Sequence, residues 1–409
     1  AKAGKDSIRP GLRDILSFLE QRKKITYVIF DDISRLTRNN ADYYPLKALI
    51  VDRKGILKDL KNNIDDVIVG CAMPEGPQGL NVARIATLLA GLPDTTPAYT
   101  LNRFCASGLQ AVANAAEMVK YGSADLVIAA GVESMSTVPM MGFKPSVNPK
   151  VTAEDENIAI AYGMGLTAEK VADKYNISRE DQDAFALESH KRALKANKEG
   201  LFADEIAPIT TSESIYSLET KQYSVKSNVV SQDEGPREGS SIEALAKLRT
   251  VFAQEGSVTA ATSSQMSDGA AAVLIASEAA VKKYNLTPKA EFVAYAVAGV
   301  PVEIMGIGPV KAIPKALEKA GLTLGDIGWI ELNEAFAAQV LAVINELGLD
   351  KEKVNPQGGA IALGHPLGAT GAIRTATLVS AMQRNDIDYG MISMCIGTGM
   401  GAAAIFKKL

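Results

Sequence analysis

Two rhythms of apolar residues alternate along this chain. Short runs closed by glycine, Asp66-Val67-Ile68-Val69-Gly70-Cys71-Ala72 and Asp125-Leu126-Val127-Ile128-Ala129-Ala130-Gly131, predict strands buried on both faces. Between them, Leu109 to Met118 reads as a helix. The order returns later: a strand at Gly328-Trp329-Ile330-Glu331-Leu332, a helix through Gly371 to Met382, and a strand at Met391-Ile392-Ser393-Met394-Cys395. This repetition predicts two related α/β halves. From about Pro139 to Ser240 the segment is richer in charge and breaks the strand rhythm, so it is expected to form an inserted loop domain.

Composition narrows the class. With 409 residues, 47% of them apolar, the chain can bury large cores. A net charge of -4 argues against binding a phosphate backbone, so no nucleic-acid partner is expected. Three cysteines do not make a disulfide framework, which points to a reducing compartment such as the cytoplasm and to chemistry at any special cysteine. No run of 18 apolar residues occurs, so no membrane insertion is expected.

The chemistry concentrates in three glycine-flanked turns: Asn102-Arg103-Phe104-Cys105-Ala106-Ser107-Gly108, Gly364-His365-Pro366-Leu367-Gly368 and Cys395-Ile396-Gly397-Thr398-Gly399-Met400-Gly401. A free thiol is mostly protonated at neutral pH, so a cysteine nucleophile needs an imidazole or a helix N-terminus. Only His190 and His365 can supply the imidazole. His190 lies in a polar helical stretch and reads as solvated, whereas His365 precedes an apolar helix in a turn that can face a cleft. Cys71, inside an apolar strand, reads as inert core. No metal site, dinucleotide fingerprint or Walker loop is present.

From about Asp65 to Leu409 the chain resembles the thiolases, most closely the degradative 3-ketoacyl-CoA type. The resemblance rests on Met73 to Asn81, Asn102 to Gly108, Asp233-Glu234-Gly235-Pro236-Arg237, Asn333-Glu334-Ala335-Phe336-Ala337-Ala338-Gln339, Gly364 to Gly368 and Cys395 to Gly401, six motifs in the family's order. It implies the thiolase fold, two α/β/α/β/α halves with a loop domain over the acyl-CoA, and a homodimer or homotetramer. The expected division is 41–138 with 241–275 for the first half, 139–240 for the loop domain and 276–409 for the second half.

The resemblance also implies roles. Cys105 is the nucleophile that becomes acylated, and His365 takes its proton and helps hold the thioester enolate oxygen. Cys395 protonates the enolate, and Asn333 positions a water at that oxyanion site. The backbone N–H groups of Cys105 and Gly397 form a second oxyanion site, and the glycines around Gly397 let the backbone approach closely where a Cβ would clash. Arg237, Phe252, Ala260, Ser264 and Phe336 match positions lining CoA, a co-substrate rather than a permanently bound cofactor. Met164, with Met140 and Met141, is a candidate for the acyl path. A biosynthetic acetoacetyl-CoA thiolase, a catalytically silent lipid-binding relative and, on the N-terminal stretch alone, a DNA-recombining protein are the alternatives; Gly163, where the biosynthetic subclass commonly carries histidine, and Asp233 to Arg237 lean toward the degradative type. A eukaryotic source would allow a peroxisomal or mitochondrial location.

Two departures stand out. The family's opening strand and Arg-Thr-Pro/Ala-x-Gly turn are missing, and residues 1–40 instead resemble part of a serine recombinase, without its serine. Ile25 to Phe30, β-branched and aromatic, is a candidate to occupy the first strand's place, with Ala41 to Leu60 as the following helix. Ala261-Thr262 stands where the family usually has Gly-Asn, which is expected to alter the pantetheine loop.

Overall fold

The computed structural model describes residues 29–31, 60–153, 158–216, 219 and 221–409. Most of the recombinase-like stretch and residues 41–59 of the expected helix lie outside the described residues. Eleven strands are described: β1 (Ile29–Asp31), β2 (Asp66–Gly70), β3 (Ala98–Leu101), β4 (Leu126–Ser134), β5 (Ile209–Tyr216), β6 (Tyr223–Val230), β7 (Asp268–Ala276), β8 (Ala290–Gly299), β9 (Trp329–Leu332), β10 (Tyr389–Ile396) and β11 (Met400–Lys408). The main helices are α1 (Val82–Leu89), α2 (Ser107–Lys120), α3 (Met164–Lys174), α4 (Arg179–Lys198), α5 (Glu278–Tyr284), α6 (Gly308–Ala320), α7 (Ala337–Leu347) and α8 (Leu367–Asn385).

The strands form two large sheets, in the orders β1-β7-β4-β2-β3 and β8-β11-β10-β9, and a separate hairpin of β5 and β6. In the first sheet β2 runs parallel to β3 and β4, while β7 is antiparallel to β4. In the second, β9 and β10 are parallel, and β11 is antiparallel to both β10 and β8. β1 occupies the edge beside β7, with Ile29 opposite Ala271 and Asp31 opposite Gly269.

Side-chain alternation along the strands turns these sheets into five layers. Ile68, Val127 and Ala129 of the first sheet and Ile392, Met394, Ala402 and Ala404 of the second face one core, which α2 and α8 fill from between them with Leu109, Val112, Leu378 and Met382. The opposite face of the first sheet, through Val67, Val69 and Ile128, packs on α1 and on Ala280 of α5. Met391, Ala403 and Ile405 pack outward on α6 and α7. The order is thus helix, sheet, helix pair, sheet, helix, with α2 and α8 as the shared central layer.

That layer needs close approach at its start. A Cβ on Gly108 would lie 2.7 Å from Ala372 N and 2.8 Å from Gly368 O, both backbone atoms of α8. Each of these two helices begins within three residues of a candidate catalytic side chain, so the crossing that joins the layers also brings the candidate chemistry together.

Candidate active site

Cys105 is presented by a turn that its neighbours fasten. Asn102 Oδ1 accepts the Phe104 N–H at 2.7 Å, and Asn102 Nδ2 donates to Ala72 O at 2.9 Å. Ser107 Oγ accepts from Arg103 N and donates to Phe104 O. Phe104 is held at φ 44°, a left-handed conformation unusual for a bulky residue and characteristic of constrained functional turns. The result is a single 3-10 turn, Phe104–Ala106, that leaves Cys105 buried at the mouth of α2 against Ala72 and Leu367.

Burial pushes the Cys105 thiol up to about 11. The N–H groups of Gly397 and of Cys105 itself favour the thiolate, and the charge of buried Glu133 opposes it. The N–H donors thus act in the direction expected of a helix N-terminus, and desolvation acts against them.

His365 follows the short helix Ala360–Leu363 and Gly364, whose φ of 93° turns the chain toward α8. Its own N–H donates to Ser267 Oγ at 3.3 Å. Its ring lies between Thr370 Oγ1, 2.6 Å from Nδ1, and Asn333 Nδ2, 3.3 Å from Nε2. Burial, and after it the Arg374 guanidinium, lower the imidazole to about 3, so it rests neutral. Asn333 is fixed by its N–H to Ser393 O at 2.9 Å. Its Oδ1 is buried with no protein partner among the described residues, which suits a carbonyl that binds a water.

Cys395 ends β10 and is 1% exposed, packed with Val258, Met305 and Phe336 and edged by Met164. Burial pushes its thiol up, and the neighbouring Cys105 adds to the shift. A Cβ on Gly397 would meet Met164 Sδ and Phe104 Cδ2 at 3.8 Å, ordinary contact. The close approach is made by the glycines that follow: a Cβ on Gly399 would lie 2.4 Å from Val300 O and one on Gly401 2.1 Å from Gly308 C.

One carboxylate ties the halves beneath the site. Glu133, fully buried near the end of β4, accepts N–H bonds from Ala72 at 2.7 Å, Met73 at 3.1 Å and Gly368 at 3.0 Å, and one from Gln78 Nε2 at 2.6 Å. Burial raises its pKa despite these donors. Cys71 is buried with its Sγ 3.8 Å from Glu133 Oε1.

Of the candidate CoA residues, Phe336 is buried and meets the half-exposed Phe252 edge-on, ring centroids 6.0 Å apart. Ser264 N donates to Ala335 O at 2.9 Å, while Ala260 is exposed. Thr262, part of the departure from Gly-Asn, is fully buried; its Oγ1 accepts the Thr259 N–H at 2.9 Å, and its carbonyl accepts from Ala337 N. Arg237 stands apart on an exposed loop, where its backbone N–H donates to His190 Nδ1 at 3.2 Å. His190 is thus not solvated as its polar surroundings suggested. It is 6% exposed, and burial followed by Arg237 lowers its pKa. Thr370, Ser267, Glu133 and Arg374 escaped the sequence reading; a lone carboxylate in the otherwise apolar Leu126–Ser134 run was the available signal for one of them.

Comparison with known proteins agrees with this geometry. The Thiolase, N-terminal domain family model matches residues 46–279 and the Thiolase, C-terminal domain model residues 286–408. The 3-ketoacyl-CoA thiolase of Bacillus subtilis (strain 168) is 52% identical over 347 residues, covering 85% of this chain and 88% of that protein. Human mitochondrial 3-ketoacyl-CoA thiolase superposes with a TM-score of 0.80 at 38% identity, covering 94% of this chain and 98% of that one. The same human enzyme solved in complex with CoA gives 0.74 at 42% identity over 85% and 87% of the two chains. A buried pair of thiols, a neutral imidazole and an asparagine at the meeting of two sheet-bearing halves, together with these matches over most of its length, make the chain a member of the thiolase family.

Proposed function

We propose that this protein is a degradative thiolase that cleaves 3-ketoacyl-CoA with CoA, yielding acetyl-CoA and a shortened acyl-CoA. The observation that carries the reading is the linkage of four buried groups: Cys105 acts on Cys395, Leu367 beside His365 packs on Cys105, and His365 meets Asn333 at 3.3 Å. In the proposed cycle, His365 Nε2 takes the Cys105 proton and the thiolate attacks the 3-keto carbon. Because the free thiol rests near 11, substrate entry and the Gly397 and Cys105 N–H groups must offset the cost of the negative charge. Breaking the bond between the α and β carbons leaves Cys105 acylated and an acetyl-CoA enolate, to which Cys395 gives its proton. The resulting Cys395 thiolate takes the proton of the incoming CoA thiol. CoA then attacks the thioester, and Cys105 leaves as a thiolate to be reprotonated by the His365 imidazolium. Protons balance over the cycle, with no other reactant.

Gly163, just before Met164, has nothing within 4 Å of where a Cβ would lie, and Ile158, Ile160 and Leu166 around it are exposed. This open apolar mouth supports acyl chains longer than acetoacetyl. Exposed Ile85, Leu88 and Leu89 on α1 support assembly with a second copy. The test is twofold: an acyl-CoA donor should add its acyl mass to Cys105 and none to Cys395, and thiolysis should proceed with medium- and long-chain 3-ketoacyl-CoAs. Labelling chiefly at Cys395, or turnover confined to acetoacetyl-CoA, would overturn the reading.

A further inference from the structure

Behind His365, on the side away from Asn333, lies a small cavity of about 20 Å³, room for about one water. Thr370, Arg374 and Thr377 of α8 line it from one side, with Glu205 and Asp233 also in its wall. Its inner boundary includes Thr370, whose hydroxyl touches the imidazole.

Glu205 is 5% exposed. Its Oε1 accepts from the Thr377 hydroxyl at 3.1 Å, and its Oε2 is buried with no protein partner among the described residues. An unpartnered buried carboxyl oxygen calls for water, and although Phe202, Ile206 and Leu363 make much of the wall apolar, Glu205, Thr370 and Arg374 supply polar partners within it. Thr375 gives its hydroxyl to the helix carbonyl four residues back, and Thr377 shares its one hydrogen between Ile373 O and Glu205 Oε1, whereas the Thr370 hydroxyl lies against His365.

The direction of that bond matters. To take a proton on Nε2, neutral His365 must carry its hydrogen on Nδ1. Asn333 Nδ2, a donor facing Nε2, favours the same tautomer. Thr370 Oγ1 must then accept from Nδ1, and its own hydrogen must find another acceptor. The cavity that Thr370 also lines offers the way to one.

We propose that a water in this cavity links the Thr370 hydroxyl to Glu205, making Glu205 and Thr370 positioning residues that keep His365 Nε2 unprotonated and able to take the Cys105 proton. The inference rests on His365 being the base of Cys105. The charged groups around Glu205 are Asp233 on the loop after β6, Glu331 on β9, and Arg374 and Arg384 on α8; Arg374 also acts on His365. Burial pushes Glu205 up to about 8, with the Thr377 bond opposing and the charges of Glu331 and Asp233 adding to the rise. Above that pH a carboxylate on Glu205 accepts more strongly from the chain and offsets Arg374, so the imidazolium forms more readily.

The test reads Cys105 directly, as its rate of alkylation by iodoacetamide, mapped by peptide mass spectrometry from about pH 6.5 to 9. The ratio of wild-type to Glu205→Gln rates should be near one at the acid end. It should rise to roughly threefold to tenfold at the alkaline end, the size of half to one pKa unit. Thr370→Val should slow alkylation about tenfold or more at every pH, within the range of general base catalysis, and Thr370→Ser should restore it. A ratio that stays flat with pH, or a folded Thr370→Val that reacts like wild type, would overturn the proposal. The readout needs no turnover. A protein that shows this pH signature but forms no acyl-enzyme retires the thiolase reading and leaves the relay standing.

Discussion

Gly108→Ala probes the crossing on which the site depends. The new Cβ would fall 2.7 Å from Ala372 N and 2.8 Å from Gly368 O, where ordinary contact begins at 3.4 Å. Both obstacles are backbone, so no rotamer relieves them, and α2 and α8 must part by more than half an ångström. Overpacking of this kind costs about 1–3 kcal/mol, and the better helix propensity of alanine returns about 1. Net destabilisation should thus be no more than about 2 kcal/mol. Activity should suffer more: Cys105 and His365 each lie three residues from the contact, and a displacement near 1 Å costs on the order of a hundredfold. The expected result is a kcat for thiolysis lowered about tenfold to a hundredfold with a small shift in Tm. Leu109→Ala, one residue on and fully buried, gives the opposite pattern: about 2–5 kcal/mol less stable, with kcat per folded molecule retained. Circular dichroism melts alongside steady-state kinetics decide the matter. Full activity in Gly108→Ala, or activity falling only as folded protein falls, would refute the claim that this crossing sets the geometry.

Cys395→Ala should still acylate at Cys105 but fail to exchange the α-protons of acetyl-CoA with deuterated solvent; exchange at the wild-type rate would remove Cys395 from the proton step. Glu205 keeps its proton to about pH 8 when folded, against an ordinary 4.5. The folded state holds the extra proton between those values, so this contribution to stability is full below about 4.5, declines as pH rises and is gone above about 8. Glu205→Gln cannot ionise, so its Tm relative to wild type should climb from about pH 5 to about pH 9; a difference constant across that range would show that Glu205 does not titrate this way.

The motifs that carry chemistry were legible because glycines and rare residue types mark them in the chain. Cys105 and Cys395 are near enough for one to act on the other, His365 and Asn333 share a hydrogen bond, and the strands around them lie within a few residues of the apolar runs. What escaped depends on contacts between distant segments. Thr370 is one threonine among several on α8, and only the fold turns it toward His365. His190 was misread because the buried stripe of α4 is built from Ala186, Ser189, Ala193 and Ala196, residues too small to register as an apolar face. For Cys105 the local features that favour a thiolate, a helix start and nearby N–H groups, are visible in sequence, whereas the burial that opposes them comes from Ala72 and Leu367.

The pairing of β4 with β7 has a consequence for synthesis. All nine residues of β4 are buried, and its Ser134 end lies opposite Asp268. The chain between them carries α3, α4 and the hairpin of β5 and β6, roughly 130 residues. At about 5–20 residues per second on the ribosome, β4 waits on the order of ten seconds for its antiparallel neighbour. During that interval an apolar strand offers an open edge, the exposure that promotes association with other nascent chains. Slower elongation lengthens the wait, so the yield of folded protein should depend on how fast the codons between Ser134 and Asp268 are read.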